Sequence, residues 1–134
     1  MKAPNTCQFT KQHLWVELSN SDSNAQDKTT WLVGITDYAQ DLLGDIVFIE
    51  APKLGGMITV GQSCGIIESV KTGADLFAPL SGEVVEINSA VIDAPESIQD
   101  KPYTAWIFKM ETTADTPTSH LMTAEAYDAL LKNT

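Results

Sequence analysis

Gly65-Ile66-Ile67-Glu68-Ser69-Val70-Lys71-Thr72-Gly73-Ala74-Asp75-Leu76-Phe77-Ala78-Pro79-Leu80-Ser81-Gly82 is the stretch that decides how the chain is read. Apolar and β-branched residues run up to a lysine, the chain reverses, and a second apolar run descends to Pro79 and Gly82. This pattern predicts strands over residues 63–70 and 75–78 joined by a tight turn at Val70-Lys71-Thr72-Gly73, with Gly73 permitting the turn. A lysine at the tip of a stiff hairpin stands clear of the core, with its amine reachable from several directions. Turn lysines are ordinarily solvated side chains and nothing more, so the hairpin alone assigns no function. It does match the needs of a swinging-arm cofactor: the arm must move while its root stays fixed, so that a modifying enzyme can recognise one lysine among eight.

Outward from this hairpin the chain reads as short strands separated by turn residues. Phe9 to Leu18 predicts one strand, residues 19 to 28 a polar hairpin loop, and Thr29 to Ile35 the returning partner. Thr36 and Asp37 are N-cap types, Gln40 stands three after Asp37, and Gly44 follows Leu42 and Leu43; these predict a helix of about two turns with a glycine stop. Further strands are expected over Ile46 to Glu50, Met57 to Val60, Glu83 to Ile87 and Ala105 to Met110, with Pro95 and Pro102 interrupting the last interval. Thr123 can cap a final helix carrying Tyr127, Leu130 and Leu131 on one face.

A short internal repeat joins the two flanks of the hairpin. Gly44-Asp45-Ile46-Val47-Phe48-Ile49-Glu50 aligns with Gly82-Glu83-Val84-Val85-Glu86-Ile87-Asn88: glycine, acid, two β-branched residues, a variable position, isoleucine and a polar end. Two similar strand units about a central hairpin suggest a pseudo-twofold, sandwich-like β fold. The expected organisation is a single domain over residues 1 to 134, with its core at about 9 to 131.

Composition narrows the function. The 134 residues are 43% hydrophobic, enough for a packed core, and carry eight basic residues against eighteen acidic ones, a net charge of −10. All eight cations are lysines. With no arginine and an acidic surface, nucleic acid and anionic membranes are poor partners. Met1-Lys2-Ala3-Pro4-Asn5-Thr6 leads into polar sequence with no apolar segment of an export signal, so a cytoplasmic location with reduced thiols is expected. Cys7 and Cys64 match no metal spacing; Cys64 reads as a small core residue, and Cys7 as a candidate for exposure. Neither His13 nor His120 sits in a nucleophile or metal motif, and no phosphate-cradling glycine loop is present, so no catalytic residue and no metal are assigned.

Glu68-Ser69-Val70-Lys71, Ala74-Asp75-Leu76 and Ala78-Pro79-Leu80-Ser81-Gly82-Glu83-Val84-Val85-Glu86-Ile87-Asn88 resemble the lipoyl-lysine region of the glycine cleavage H-protein family. His13-Leu14-Trp15-Val16 resembles the family's His-Glu-Trp strand. Gly34-Ile35-Thr36-Asp37-Tyr38-Ala39-Gln40 and Leu43-Gly44-Asp45-Ile46-Val47 resemble its helix and following strand, and Tyr103, Trp106 and Ala124-Glu125-Ala126-Tyr127 have counterparts too. The resemblance implies a mainly β barrel-sandwich hybrid with a short internal helix and a C-terminal helix. It implies lipoic acid in amide linkage to Lys71, with Glu68, Ser69, Val70, Asp75 and His13 around the attachment site. The implied role is a non-catalytic, monomeric carrier of an aminomethyl group. Its implied partners are a lipoate ligase or lipoyl-transfer machinery, glycine decarboxylase, aminomethyltransferase and dihydrolipoamide dehydrogenase. A biotin carrier is the nearest rival for a hairpin lysine, but Val70 and Thr72 stand where its Met-Lys-Met setting would be.

Two positions depart from the family pattern. Leu14 replaces the glutamate of His-Glu-Trp, and Ala74 replaces the usual serine before Asp75, after an unusual Thr72-Gly73. A carboxylate near the arm is a sensible partner for a cationic aminomethyl group; Leu14 cannot supply it, although Asp75 can. One explanation is drift. The other is a different cargo, as in H-protein-like carriers of sulfur species that serve heterodisulfide-reductase-like sulfur-oxidation enzymes. A remoter alternative is an unmodified interaction domain.

Overall fold

The computed structural model describes residues 4–19, 28–113 and 115–132. The chain runs through β1 (Gln8–Phe9), β2 (Leu14–Leu18), β3 (Lys28–Ile35), α1 (Asp37–Leu43), β4 (Ile46–Glu50), β5 (Met57–Ile58) and β6 (Ser63–Ser69). It continues through β7 (Gly73–Phe77), β8 (Gly82–Ile87), α2 (Ser89–Asp93), α3 (Ser97–Asp100), β9 (Phe108–Thr113) and α4 (Ala124–Lys132). Antiparallel pairing gathers these strands into a six-stranded sheet, β1-β2-β3-β9-β8-β5, and a three-stranded sheet, β4-β6-β7. The expected loop at 19–28 falls mostly outside the described residues.

Both sheets contribute to one core. Leu14, Val16, Val33, Val84, Phe108 and Met110 come from the larger sheet, and Ile46, Ile49, Ile67 and Leu76 from the smaller. The period-2 alternation of a strand explains a second cluster on the opposite face of β2. Between Leu14 and Val16, Trp15 turns the other way and packs with Cys7, Phe9, Ala124 and Tyr127, beneath α4. Its indole N–H donates to the Pro102 carbonyl at 2.9 Å. Gly34 lies opposite Trp15 in the β2–β3 register, where a β-carbon would stand 2.5 Å from the indole ring. The glycine thus makes room for the tryptophan.

The internal repeat has a structural counterpart. β4 and β8 lie in different sheets, yet each carries a register shift at the same repeat position: between Ile46 and Phe48 in β4, and between Val84 and Glu86 in β8. A bulge adds a residue and bends the strand, so matching bulges give the two copies matching curvature. Ile46 and Val84, at equivalent positions, are both buried.

Three sequence expectations are corrected. Residues 9 to 18 do not form one strand: the chain reverses at Thr10–His13, where the His13 N–H donates to the Thr10 carbonyl at 3.1 Å and His13 takes φ 69°. The last strand begins at Phe108 rather than Ala105, because pairing with Val33 opens there and the Asn88 amide holds the Trp106 carbonyl outside the ladder at 2.7 Å. The interval broken by Pro95 contains α2 and α3, which bring Val91 and Ile98 into the core. Helices of five and four residues are too short to display helical periodicity.

The internal helix follows its sequence signals closely. Thr36 caps α1, its hydroxyl accepting from the Ala39 N–H at 3.2 Å. Gly44 ends it at φ 82°, a left-handed conformation that favours glycine. This fixes the end of the helix beside the β6–β7 hairpin.

Candidate functional site

Lys71 occupies the loop that joins β6 to β7, with Glu68 opposite Gly73 as the last paired residues. The loop is tied down by one side chain. The Ser69 hydroxyl accepts from the Lys71 N–H at 3.2 Å and the Thr72 N–H at 3.1 Å, while the Ser69 N–H donates to the Thr72 carbonyl at 2.7 Å. The Val70 N–H donates to the Asp45 carbonyl at 3.0 Å, anchoring the loop to the entrance of β4. Gly73 does not supply the turn conformation: it lies within β7 and outside the left-handed region. A serine side chain does what the sequence assigned to a glycine.

The Lys71 side chain is exposed and extends over the C-cap of α1, where a β-carbon on Gly44 would come within 3.0 Å of Cε and 3.4 Å of Nζ. The root of the lysine is therefore held by hydrogen bonds while its side chain is exposed. Ser69→Ala is expected to cost about 1 kcal/mol and to speed hydrogen exchange at the Lys71 and Thr72 amides. Unchanged exchange would show that the serine does not hold the loop.

A cleft of about 150 Å³ lies between α1, β7 and the β1–β2 reversal. Leu14, Leu42, Leu43, Ile67 and Leu76 give it apolar walls, and Asp75 is the carboxylate on its lining. Leu43, one residue before Gly44, connects this wall to the path of the Lys71 side chain. The residues expected around the lysine thus divide. Ser69 and Val70 shape its loop, and His13 and Asp75 line the cleft. Glu68 is exposed and paired opposite Phe48, and it is not part of the cleft lining. Leu14 is 2% exposed, so the departure from the family glutamate falls directly on a cleft wall.

His13 belongs to a polar network that sequence reasoning missed. Its Nδ1 lies 2.8 Å from the Tyr127 hydroxyl, and that hydroxyl lies 2.8 Å from Thr36 Oγ1. Tyr38 packs against the imidazole, with ring centroids 4.7 Å apart. Nearby, the Tyr103 hydroxyl donates to Asp37 Oδ1 at 2.8 Å. Thr36 and Tyr127 carried sequence signals for a cap and an apolar face only, so nothing marked their hydroxyls as partners.

Burial lowers the His13 pKa from its ordinary 6.5. The unfolded chain therefore takes up protons first as pH falls below 6.5, and stability present above that value is lost as pH drops toward the depressed one. The urea midpoint is expected to fall between about pH 7.5 and about pH 5.5, and to fall less in His13→Gln. An equal fall in both proteins would assign the effect to other groups.

Cys7 is buried, contrary to the exposure expected for it, and burial pushes both thiols up to about 11. Neither is a ready nucleophile at neutral pH. Among the described residues there is no cluster suited to a metal ion, and no helix is long and apolar enough to cross a membrane.

Fold and site together define the class: a mainly β barrel-sandwich hybrid of the lipoyl-domain kind, with an exposed lysine on a braced hairpin whose side chain lies over Gly44, next in sequence to the cleft residue Leu43. The family model described as glycine cleavage H-protein matches residues 7–134. The chain belongs to the glycine cleavage H-protein family, and with it to the lipoyl carriers. It is 53% identical over 131 residues to a glycine cleavage system H protein of Methylobacillus flagellatus, covering 98% of this chain and 99% of the relative. It is 40% identical over 131 residues to one from Escherichia coli, covering 97% and 96%. A crystal structure of a glycine cleavage system H protein from Mycobacterium marinum superposes with a TM-score of 0.82 at 34% identity, covering 97% of this chain and 99% of that one.

Proposed function

We propose that Lys71 is the site of lipoylation and that the chain is a non-catalytic carrier of the aminomethyl group between the enzymes of glycine cleavage. The observation that carries this reading is an exposed lysine on a loop braced by Ser69, its side chain lying over Gly44, the residue after Leu43 of the apolar cleft wall. The residues fit the group: an aliphatic arm ending in a five-membered disulfide ring is apolar, and the leucine-lined cleft beside Lys71 is suited to shelter it. When bound, lipoate supplies a cyclic disulfide that exchanges with a nucleophile. The chain's own work is placement. Ser69 fixes the root, Leu14, Ile67 and Leu76 give the cleft a buried apolar wall, and Asp75 offers an anion to a cationic cargo.

Partners on this reading are a lipoate ligase or transferase, glycine decarboxylase, aminomethyltransferase and dihydrolipoamide dehydrogenase. The test is loading of the lipoylated chain from glycine by glycine decarboxylase, followed by mass. Loading is expected. A lipoylated chain that the decarboxylase ignores but a sulfur donor loads would overturn the assignment of the cargo in favour of sulfur transfer. Leu14→Glu is expected to cost about 2–3 kcal/mol, because it buries a carboxylate, and to load faster, because it adds an anion beside Asp75. An unchanged loading rate would remove cargo charge as the role of this position.

A further inference from the structure

The Thr36–Tyr127–His13 chain of contacts has a direction, and that direction fixes which nitrogen of His13 carries its proton. Thr36 is fully buried, and its Oγ1 already accepts from the Ala39 N–H at 3.2 Å. Its own hydroxyl proton has one acceptor within reach among the described residues, the Tyr127 oxygen at 2.8 Å. Tyr127 is also fully buried, and its hydroxyl proton then goes to His13 Nδ1 at 2.8 Å. The opposite order, with Nδ1–H donating to Tyr127 and Tyr127 to Thr36, would strand the Thr36 proton in the interior without an acceptor. The helix cap therefore sets the polarity of the whole chain of hydroxyls. His13 must accept at Nδ1, and in its neutral form it carries its proton on Nε2.

We propose that Thr36 and Tyr127 are positioning residues that hold His13 as a neutral Nε2–H donor on the cleft wall, where it recognises a hydrogen-bond acceptor on the head of the arm, a sulfur atom, rather than an ammonium group. This rests on the reading of Lys71 as the lipoyl site. His13 lines the cleft together with Leu14 and Asp75, and Nε2 is the ring nitrogen left over once Tyr127 has taken Nδ1. The wall then offers two complementary groups: an N–H for sulfur from His13 and a carboxylate for a cation from Asp75.

The experiment uses ¹⁵N-histidine-labelled full chain and long-range ¹H–¹⁵N correlation at neutral pH. In the unmodified protein His13 is expected to show an unprotonated Nδ1 and a protonated Nε2. In Tyr127→Phe the Nδ1 resonance is expected to move toward that of an imidazole nitrogen free of hydrogen bonds, while Thr36→Ser, which keeps the hydroxyl, leaves it in place. A proton on Nδ1 in the wild-type protein, or an Nδ1 resonance indifferent to Tyr127→Phe, would overturn the relay. These measurements do not depend on lipoylation. The second arm compares the unmodified chain with chain whose mass shows the lipoyl group. A shift at the Nε2–H on modification is expected, and its absence in protein shown to be lipoylated would overturn the contact with the arm.

Discussion

Lys71→Arg is expected to abolish lipoylation altogether, and loading from glycine with it, while shifting Tm by no more than about 2 °C. The loss should be total because acylation needs a free amine that can lose a proton, and a guanidinium stays charged and resonance-stabilised at any pH a protein survives. The fold should not notice, because the Lys71 side chain is exposed and its close neighbour is the Gly44 C-cap. Intact mass and a thermal melt on the same preparation check both halves. A lipoyl increment retained in the variant would move the site to another lysine. A large fall in Tm would show that the side chain contributes to packing in a way its exposure does not suggest.

Gly82→Ala is expected to be the most damaging single-methyl change in the hairpin region. Gly82 is buried at the start of β8, paired with Ile58, and its β-carbon would come to 2.3 Å from the Glu111 carbonyl oxygen and 3.1 Å from Met110 Cε. The obstacle is backbone belonging to β9, so relief requires parting β8 from β9 where Val84 and Met110 pack in the core. A loss of about 3 kcal/mol, or about 10 °C in Tm, is expected. Gly73→Ala is the contrast. Its nearest neighbours would lie at 3.8 Å and its backbone is not left-handed, so a change within about 0.5 kcal/mol is expected. If the two variants melt together, steric exclusion at Gly82 is not what limits the sequence there.

That contrast also shows what the sequence disclosed and what it withheld. The Thr36 cap and the Gly44 stop were legible because each acts through residues a few positions away. The two copies of the repeat were legible as a pattern, but that they fall in different sheets depends on pairing partners distant in sequence. The reversal at Thr10–His13 was not legible, since a histidine in left-handed conformation leaves no turn signal of the glycine or proline kind. In the hairpin loop, Gly73 drew the inference because glycine is the usual turn residue, while Ser69 makes the bonds. Lys71, Asp75 and His13 could be singled out by resemblance. That His13 and Asp75 share a cleft, and that Glu68 lies outside it, depends on contacts between strands far apart in sequence. Tyr127 is the clearest omission. It lies 114 residues from His13, and its hydroxyl matters only once α4 has packed over β1 and β2.

The most direct test is mass spectrometry of the intact chain from a host able to attach lipoate, with fragmentation to locate the modified residue. One lipoyl increment on Lys71 is expected, making the protein one unit more negative than its unmodified charge of −10. A chain that stays unmodified in that host, or one that carries the increment on any of the other lysines, would contradict the account.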